Sequence, residues 1–233
     1  MILLPYSDGE HSACEKAPKA ILDQFNGIYS NESFKKINPP TAKEAPLDSI
    51  PSDKIYIGGD HTISYHILKQ NPTEGLVIFD AHPDVFQQFD DPTHLDWLKF
   101  LVEENIISPN NIFVIGIRNP HPTEITYFKE KGITYLTCKG IKLQESCDAI
   151  MEKLRKLNSF HISIDLDVLD PAFAPGVSYP EPAGLTTRQL LYYLQRLRNL
   201  NNLKAIDLVE VNPEKDINNI TSKTAAKIIA EFI

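Results

Sequence analysis

Short apolar runs alternate along this chain with longer segments of helical periodicity, and this alternation restricts the possible folds more than any other feature. It is typical of βαβ units, in which a helix connects two parallel strands. Several runs are apolar at consecutive positions, which suits strands covered by helices on both faces. The sequence therefore predicts one α/β domain over residues 1–233, a three-layer α/β/α structure with a mostly parallel sheet. The predicted strands are Ile2 to Leu4, Ile55 to Ile57, Leu76 to Phe79, Ile112 to Ile117, Thr134 to Thr137, His161 to Leu166 and Ala205 to Val211.

Two segments have apolar residues at the intervals of three and four that predict helices, Leu143 to Leu157 and Thr187 to Leu200. Capping-box spacing marks the start of a helix at two places. These are Ser12 with Glu15, and Thr186 with Gln189. Residues 31–53 are polar and rich in proline, so we expect a long irregular connection there and no domain boundary.

Composition excludes several classes of protein. The chain has 23 Lys and Arg against 31 Asp and Glu, a formal charge of −8, whereas nucleic-acid binding usually needs a basic surface. The longest segment without a charged side chain, Asn105 to Ile117, is shorter than the roughly 20 residues of a membrane-spanning helix. Three cysteines without CxxC spacing, and an N-terminus without a secretory pattern, favour a reducing compartment. We therefore expect a cytoplasmic protein that binds neither nucleic acid nor membranes.

Acidic and imidazole side chains fall at the ends of four predicted strands. Gly58-Gly59-Asp60-His61 follows one strand and Asp80-Ala81-His82-Pro83-Asp84 follows the next. Asp165-Leu166-Asp167 ends a third strand, and Glu210 ends a fourth. The carboxyl ends of the strands form the ligand crevice in open α/β sheets, so these groups should converge on one rim.

The spacing within the clusters predicts a metal site. Residues two apart on an extended chain point to the same side, which would bring Asp80, His82 and Asp84 together, and Asp165 with Asp167. So many carboxylates repel one another unless positive charge lies among them, and two divalent cations would supply it. Carboxylates with imidazoles and no thiolate suit Mn²⁺, with Zn, Fe, Co or Ni as alternatives. Two such ions about 3.5–4 Å apart activate water, so the predicted reaction is hydrolysis.

The same motifs carry a family resemblance. Together with Ser163 to Pro171 and Glu210-Val211-Asn212-Pro213, the clusters at His61 and Asp80 resemble, in order, the signature blocks of the ureohydrolase family of arginases, agmatinases and formiminoglutamases. This resemblance implies an arginase-like fold and two Mn²⁺ ions per chain. The implied ligands of one ion are His61, Asp80, Asp84 and Asp165, and those of the other are Asp80, His82, Asp165 and Asp167.

The resemblance also implies residues for substrate. Glu210 would act in catalysis by receiving the planar guanidinium or amidine group, and Asp84 would border the substrate as well. His94 would move a proton to or from the leaving amine, a role suited to a group that titrates near pH 7. The glycine that commonly follows this histidine is absent here, which leaves open that His94 is a helix cap or surface residue. Asp60 and Asp207 would orient neighbouring loops or ligands.

Departures from the family pattern concern the substrate's tail. Val85-Phe86-Gln87-Gln88-Phe89 replaces the polar segment with which arginases hold an α-carboxylate, and Val177-Ser178-Tyr179 replaces a commoner Gly-Thr run. We therefore expect a small guanidino or amidino substrate without that carboxylate, with agmatine as the first candidate. The alternatives are formiminoglutamase or arginase activity, a zinc deacetylase-like amide hydrolase, and a metal-binding member without activity. Family analogy also implies a homo-oligomer, a trimer or hexamer.

Overall fold

The chain forms one eight-stranded sheet in a computed structural model that describes residues 1–8, 13–30, 33–39, 41–86 and 90–233. The strand order is β2-β1-β3-β8-β7-β4-β5-β6, and each neighbouring pair is parallel. The predicted α/β fold class is thus confirmed. The strands are β1 Ile2–Leu4, β2 Lys43–Glu44, β3 Ile55–Gly58, β4 Gly75–Phe79, β5 Ile112–Ile117, β6 Thr134–Thr137, β7 Phe160–Asp165 and β8 Leu203–Val209.

Alternate side chains of the central strands enter two different apolar layers. In β4, Val77 and Phe79 belong to one hydrophobic cluster, whereas Leu76 and Ile78 belong to another on the opposite face. All residues of β4 are buried. This double burial is why the strand sequences are apolar at consecutive positions and do not alternate with polar residues.

Helices cover both faces of the sheet. One layer contains α1, α5, α6 and α7, and the other contains α2, α3 and α4, as their membership of the two apolar clusters shows. Among the described residues, no helix is both long and apolar enough to cross a membrane. The helices are α1 Ala17–Gln24, α2 Thr62–Gln70, α3 Trp97–Glu103, α4 Pro122–Lys131, α5 Leu143–Leu154, α6 Thr187–Leu197 and α7 Ile220–Ile229.

The helix boundaries test the sequence patterns. The capping box of Thr186 and Gln189 is confirmed at the start of α6, whereas Ser12 lies outside the described residues. Helices α5 and α6 each end three residues before the predicted end. Leu157 and Leu200 still pack against the core from tight turns in which their N–H groups bond three residues back, so the apolar periodicity continues beyond each helix.

The short edge strand β2 was not predicted. It lies inside the polar segment that the sequence marks as irregular, and both of its residues are exposed. Its pairing depends on backbone bonds, from Lys43 N–H to Met1 O at 3.2 Å and from Ala45 N–H to Leu3 O at 3.1 Å. No apolar pattern accompanies such a strand, so side-chain periodicity could not reveal it.

Gly59 allows the loop after β1 to cross the end of β3. A Cβ atom at this position would lie 1.8 Å from the backbone oxygen of Tyr6. The crossing is fixed by backbone bonds, from Gly59 N–H to Leu4 O at 3.1 Å and from Glu210 N–H to Gly59 O at 2.8 Å. Glycine is therefore required here because two backbones approach closely.

We expect Gly59→Ala to lower the free energy of unfolding by about 3 kcal/mol or more, because the added methyl group meets backbone that cannot move aside. Gly27→Ala is the matched control, since nothing lies within 4 Å of its added Cβ. That control should change stability by less than about 1 kcal/mol. Urea unfolding measures both variants, and equal midpoints would contradict the close approach at Gly59.

Candidate metal centre

The ligand-type side chains meet where four adjacent strands end. Strands β3, β8, β7 and β4 are consecutive in the sheet, and each is followed by one of the predicted clusters. His61 directly precedes α2, and its Nδ1 atom lies 3.0 Å from Asp80 Oδ2, 3.1 Å from Asp84 Oδ2 and 3.3 Å from Asp165 Oδ2. The first implied ligand set is thus gathered around one imidazole nitrogen.

Asp80 connects this set to a second one. Its Oδ1 atom lies 3.7 Å from His82 Nδ1, and that nitrogen lies 2.8 Å from Asp167 Oδ2. Candidate ligand atoms of His61, Asp80 and Asp165 lie within 4.8 Å of one another, as do those of Asp80, His82 and Asp167. One oxygen of Asp80 therefore faces each imidazole, so this carboxylate could be shared by two cations.

The side chains converge through turns, so the predicted extended geometry is wrong. Strand β7 ends at Asp165, whose carboxylate accepts the N–H of Asp167 at 2.7 Å across a single 3-10 turn. Asp80 likewise accepts the N–H of His82 at 2.6 Å, and Asp84 has a left-handed backbone with φ of 52°. Each first carboxylate bends its own backbone by bonding two residues ahead, as Asp commonly does after a strand.

Two buried polar atoms test whether cations fit this site. Among the described residues, neither His61 Nδ1 nor Asp80 Oδ2 has a hydrogen-bond partner, although only 3.0 Å separates them. The other ring nitrogen of His61, Nε2, lies 2.9 Å from the Ser163 hydroxyl. Burying unpartnered polar atoms is costly, and a cation held between them would satisfy both. The donor set thus fits divalent ions that accept imidazole and carboxylate.

Electrostatics support the same conclusion. Burial, and then the neighbouring carboxylates, raise the pKa of Asp80 well above its usual value. Burial and Asp167 raise the pKa of Asp165 to about 7. Burial opposes the charged form of His82, but Asp167 and Asp80 raise its pKa to about 11. The cluster thus holds protons when it holds no metal, and cations would displace them.

A buried network of polar side chains holds the imidazole ring of His61 in place. Ser163 lies between His61 and Asp207, with its hydroxyl 2.8 Å from Asp207 Oδ1. Asp207 also accepts from Ser64 at 2.9 Å and lies 2.6 Å from His161 Nε2. These bonds occupy His61 Nε2 and leave Nδ1 directed at the carboxylates. The sequence predicted an orienting role for Asp207, and this geometry is consistent with it.

Trp97 contacts two of the candidate ligands, and the sequence patterns did not predict this. Its indole N–H donates to Asp84 Oδ2 at 2.7 Å, and its ring lies 4.4 Å from the ring of His61. Trp97 is the first residue of α3 and is fully buried. No motif in the sequence marks this residue, but in the structure it fixes the orientation of one candidate ligand.

Glu210 faces the same site from the end of β8. The strand stops two residues before its predicted end because Glu210 has a left-handed φ of 64°. Its Oε1 atom accepts the backbone N–H of His61 at 3.0 Å, and the Cys14 thiol lies 3.7 Å from its Oε2. Burial and the charge of Asp165 raise the pKa of Glu210 well above its usual value.

His94 is buried beside these groups. It is 6% exposed, and the residue that directly precedes α3 is Asp96, so the interpretation of His94 as a surface residue or cap is wrong. Its Nδ1 atom lies 2.6 Å from Asp8 Oδ2, and the Tyr179 ring stacks on it at 6.1 Å. Its part in proton transfer stays a prediction. Asp8 was missed, although it follows β1 at the same rim.

A cavity of about 200 Å³ opens over the centre. Its described lining includes five carboxylates and three imidazoles but neither Lys nor Arg. Glu181 lies at its edge, where its Oε1 atom accepts from Asn119 at 2.7 Å and lies 3.6 Å from His82 Nε2. The lining residues are His61, His82, Asp84, His94, Leu95, Asn119, Asp165, Asp167, Tyr179, Glu181 and Glu210.

The structure describes part of the segment that replaces the polar residues of arginases. Val85 is buried in the apolar cluster with α2 and α3, and among the described residues neither Val85 nor Phe86 lines the cavity. Val85 therefore cannot contact a substrate in this structure, because its side chain is buried in the hydrophobic core. Residues 87–89 of the same segment lie outside the described part of the chain.

The fold and this rim define an α/β protein with a candidate binuclear metal centre. The model of the Arginase family matches residues 7–233, so the chain belongs to that family, and the family predicted from the four motifs is confirmed.

The relatives to which this chain is similar are named for several different activities. The chain is 32% identical to the agmatinase of Bacillus subtilis over 76% of its own length but only 61% of that relative's. It is 29% identical to an arginase of Staphylococcus aureus strain COL, over 93% of this chain and 81% of the arginase. The structure of the formimidoylglutamase from Bacillus subtilis superposes with a TM-score of 0.86 at 26% identity, over 99% of this chain and 84% of that one.

Asp165→Ala should leave fewer than two equivalents of tightly bound Mn²⁺ after dialysis. The implied role of Asp165 as a shared ligand means that its loss weakens both positions and leaves the other carboxylates to repel one another. Asp48→Ala removes an exposed carboxylate before β3 and is the control that should keep two equivalents. Elemental analysis gives the count, and two tightly held ions in Asp165→Ala would refute the shared-ligand role.

Metal affinity should rise with pH. The pKa of Asp165 is raised to about 7 and that of His82 to about 11, so both groups hold protons near neutral pH that a cation must displace. Because deprotonation becomes easier as pH increases, the apparent affinity for Mn²⁺ should increase about tenfold or more between about pH 6 and pH 8. Titration calorimetry in two buffers measures the affinity and the protons released. An affinity independent of pH would contradict this account.

Proposed function

We propose that this protein hydrolyses a guanidino or amidino C–N bond of a small amine with two Mn²⁺ ions, as an agmatinase does. The observation that carries the proposal is the position of Asp80 between two imidazole and carboxylate groups, with Glu210 and His94 facing the same cavity. A single-zinc deacetylase would not need a carboxylate shared in this way. A member without activity would not need Glu210 and His94 at the cavity.

The metal ligands in this proposal are those implied by the motifs. His61, Asp80, Asp84 and Asp165 would hold one ion, and Asp80, His82, Asp165 and Asp167 would hold the other. When bound, the two ions would supply a water activated for attack on the amidine carbon. The buried carboxylates and the orphaned nitrogen of His61 support this assignment.

Glu210 and His94 would handle the substrate. The carboxylate of Glu210 would pair with the planar cation through parallel hydrogen bonds and hold its carbon over the metal centre. Asp84 would border the same group. His94 would donate a proton to the leaving nitrogen as the C–N bond breaks, so that a guanidinium and water give urea and a protonated amine. Water from solvent would restore that proton to the ring.

The cavity edge favours a cationic tail over a carboxylate tail. Glu181 places a carboxylate there, and the ring of Tyr179 is 48% exposed. An ammonium group can pair with the carboxylate and lie against the ring. A substrate carboxylate would face the like charge of Glu181 at this edge, and burying a carboxylate without a partner costs several kcal/mol. Agmatine, which has a guanidinium at one end and an ammonium at the other, fits best.

Formiminoglutamate is the second candidate, because the formimidoylglutamase structure is similar over almost the whole chain. Its carboxylates make it the poorer fit to Glu181. A cytoplasmic homo-oligomer is also proposed, and three free thiols, Cys14, Cys138 and Cys147, support the reducing compartment.

Agmatine should give the highest kcat/KM in a panel with arginine, guanidinobutyrate and formiminoglutamate. Glu181→Gln should lower kcat/KM for agmatine about tenfold, because a charged hydrogen bond is lost, and leave guanidinobutyrate unchanged or improved. Glu210→Gln is the contrasting variant, which should weaken all substrates in parallel since it acts on the shared head group. Product release is measured as urea, or as formamide for the formimino substrate.

Two results would count against the proposal in different ways. A higher kcat/KM for arginine than for agmatine would show that the cavity edge has been misinterpreted, with the hydrolase assignment intact. No product from any substrate with Mn²⁺ bound would show that the assignment itself is wrong.

A further inference from the structure

We propose that Asp8 is the positioning residue for His94, and that its carboxylate holds the imidazole as the tautomer whose Nε2 exchanges a proton with the substrate. This inference rests on the proposed function, in which His94 transfers that proton. Neither the motifs nor the family resemblance assigned a role to Asp8.

The contact between the two side chains is short and shielded. His94 Nδ1 lies 2.6 Å from Asp8 Oδ2, and the backbone N–H of His94 donates to the same oxygen at 3.4 Å. The His94 side chain is 7% exposed and that of Asp8 is 11% exposed. A carboxylate so placed accepts a proton carried on Nδ1, which assigns the exchange with substrate to Nε2.

Asp8 is itself fixed to the metal centre. Its backbone N–H donates to Asp60 Oδ2 at 2.6 Å, and Asp60 Oδ1 accepts the N–H of Thr62 at 3.1 Å. Asp60 is fully buried and directly precedes the candidate ligand His61. The bonds of Asp8 to Asp60 and to His94 thus link the position of the His94 ring to that of the loop that carries His61.

Tyr179 restricts the remaining freedom of the ring. Its phenol ring stacks on His94 at a centroid distance of 6.1 Å and an interplanar angle of 20°. Stacking fixes the plane of the imidazole, and the bond to Asp8 fixes the rotation within that plane. Two constraints of different kind therefore define where Nε2 points, as proton transfer requires.

The charges around the ring agree with this arrangement. Burial lowers the pKa of His94, but the carboxylates of Asp8, Asp84 and Asp60 together raise it above its usual value. Asp8 contributes both a hydrogen bond and a charge, and it is the largest of the three influences that raise the pKa. The same carboxylate thus orients the ring and stabilises its protonated form.

A double-mutant cycle tests whether Asp8 acts through His94. In the Mn²⁺-loaded protein with agmatine, Asp8→Asn should lower kcat about 10- to 100-fold with little change in KM. His94→Ala should lower kcat about 10²- to 10⁴-fold. In the His94→Ala background, Asp8→Asn should change kcat by less than about twofold, because the proposal places the effect of the Asp8 carboxylate in the orientation of the His94 ring. Asp91→Asn removes an exposed carboxylate from the same loop as His94 and should leave kcat at the parent value.

Metal content and Tm of Asp8→Asn, compared with those of Asp91→Asn, separate positioning from a loss of structure. An unchanged kcat in Asp8→Asn would overturn the proposal. So would a loss of the same factor in both backgrounds, which would make Asp8 independent of His94.

Histidine-selective ¹⁵N NMR of the parent, prepared without paramagnetic metal and assigned by comparison with His94→Ala, gives a readout that needs no activity. We expect His94 to carry its hydrogen-bonded proton on Nδ1. A neutral ring protonated only on Nε2 would overturn the proposal. If no substrate in the panel is turned over, the proposed function fails, and this spectrum still decides whether Asp8 fixes the ring.

Discussion

Buried negative charge at the carboxyl rim is the constraint on which the rest of the structure depends. Asp80, Asp165 and Asp167 are almost completely shielded from water and lie within reach of two imidazoles. Carboxylates in such positions ionise only when positive charge lies among them. Protons on the cluster meet this need in part, but they leave polar atoms of His61 and Asp80 unsatisfied among the described residues. Divalent cations would meet it completely.

The sheet supplies the precision that such a centre needs. Four neighbouring parallel strands end beside one another, about 4.8 Å apart, so each can place a side chain on the same small volume. The turns after β4 and β7 are held by the aspartates themselves, and the close crossing at Gly59 ties the loop after β1 to these ends. Stability of the fold and geometry of the site are therefore set by the same contacts.

The sequence predicted the parts of this structure that apolar periodicity and chemical type determine. Seven strands lie within two residues of their predicted ends, and the clusters at His61, Asp80, Asp165 and Glu210 meet as expected. Strand β2 was missed because its pairing depends on backbone bonds alone. Asp8 and Trp97 were missed because their partners lie 86 and 13 residues away in the chain, a relation that local spacing does not encode. The place of Val85 in the core could not be predicted, because one apolar residue beside a motif has no feature that separates core from cavity.

The edge of the sheet at β2 bears on how copies of the chain can associate. An exposed strand edge invites pairing with another chain, yet β2 is only two residues long and consists of Lys43 and Glu44. Charged side chains on so short an edge oppose extension of the sheet from one molecule into the next. Strand β2 thus opposes edge-to-edge pairing at its own end of the sheet, and an assembly formed on that side would have to use helical or loop surfaces instead of a continuous sheet.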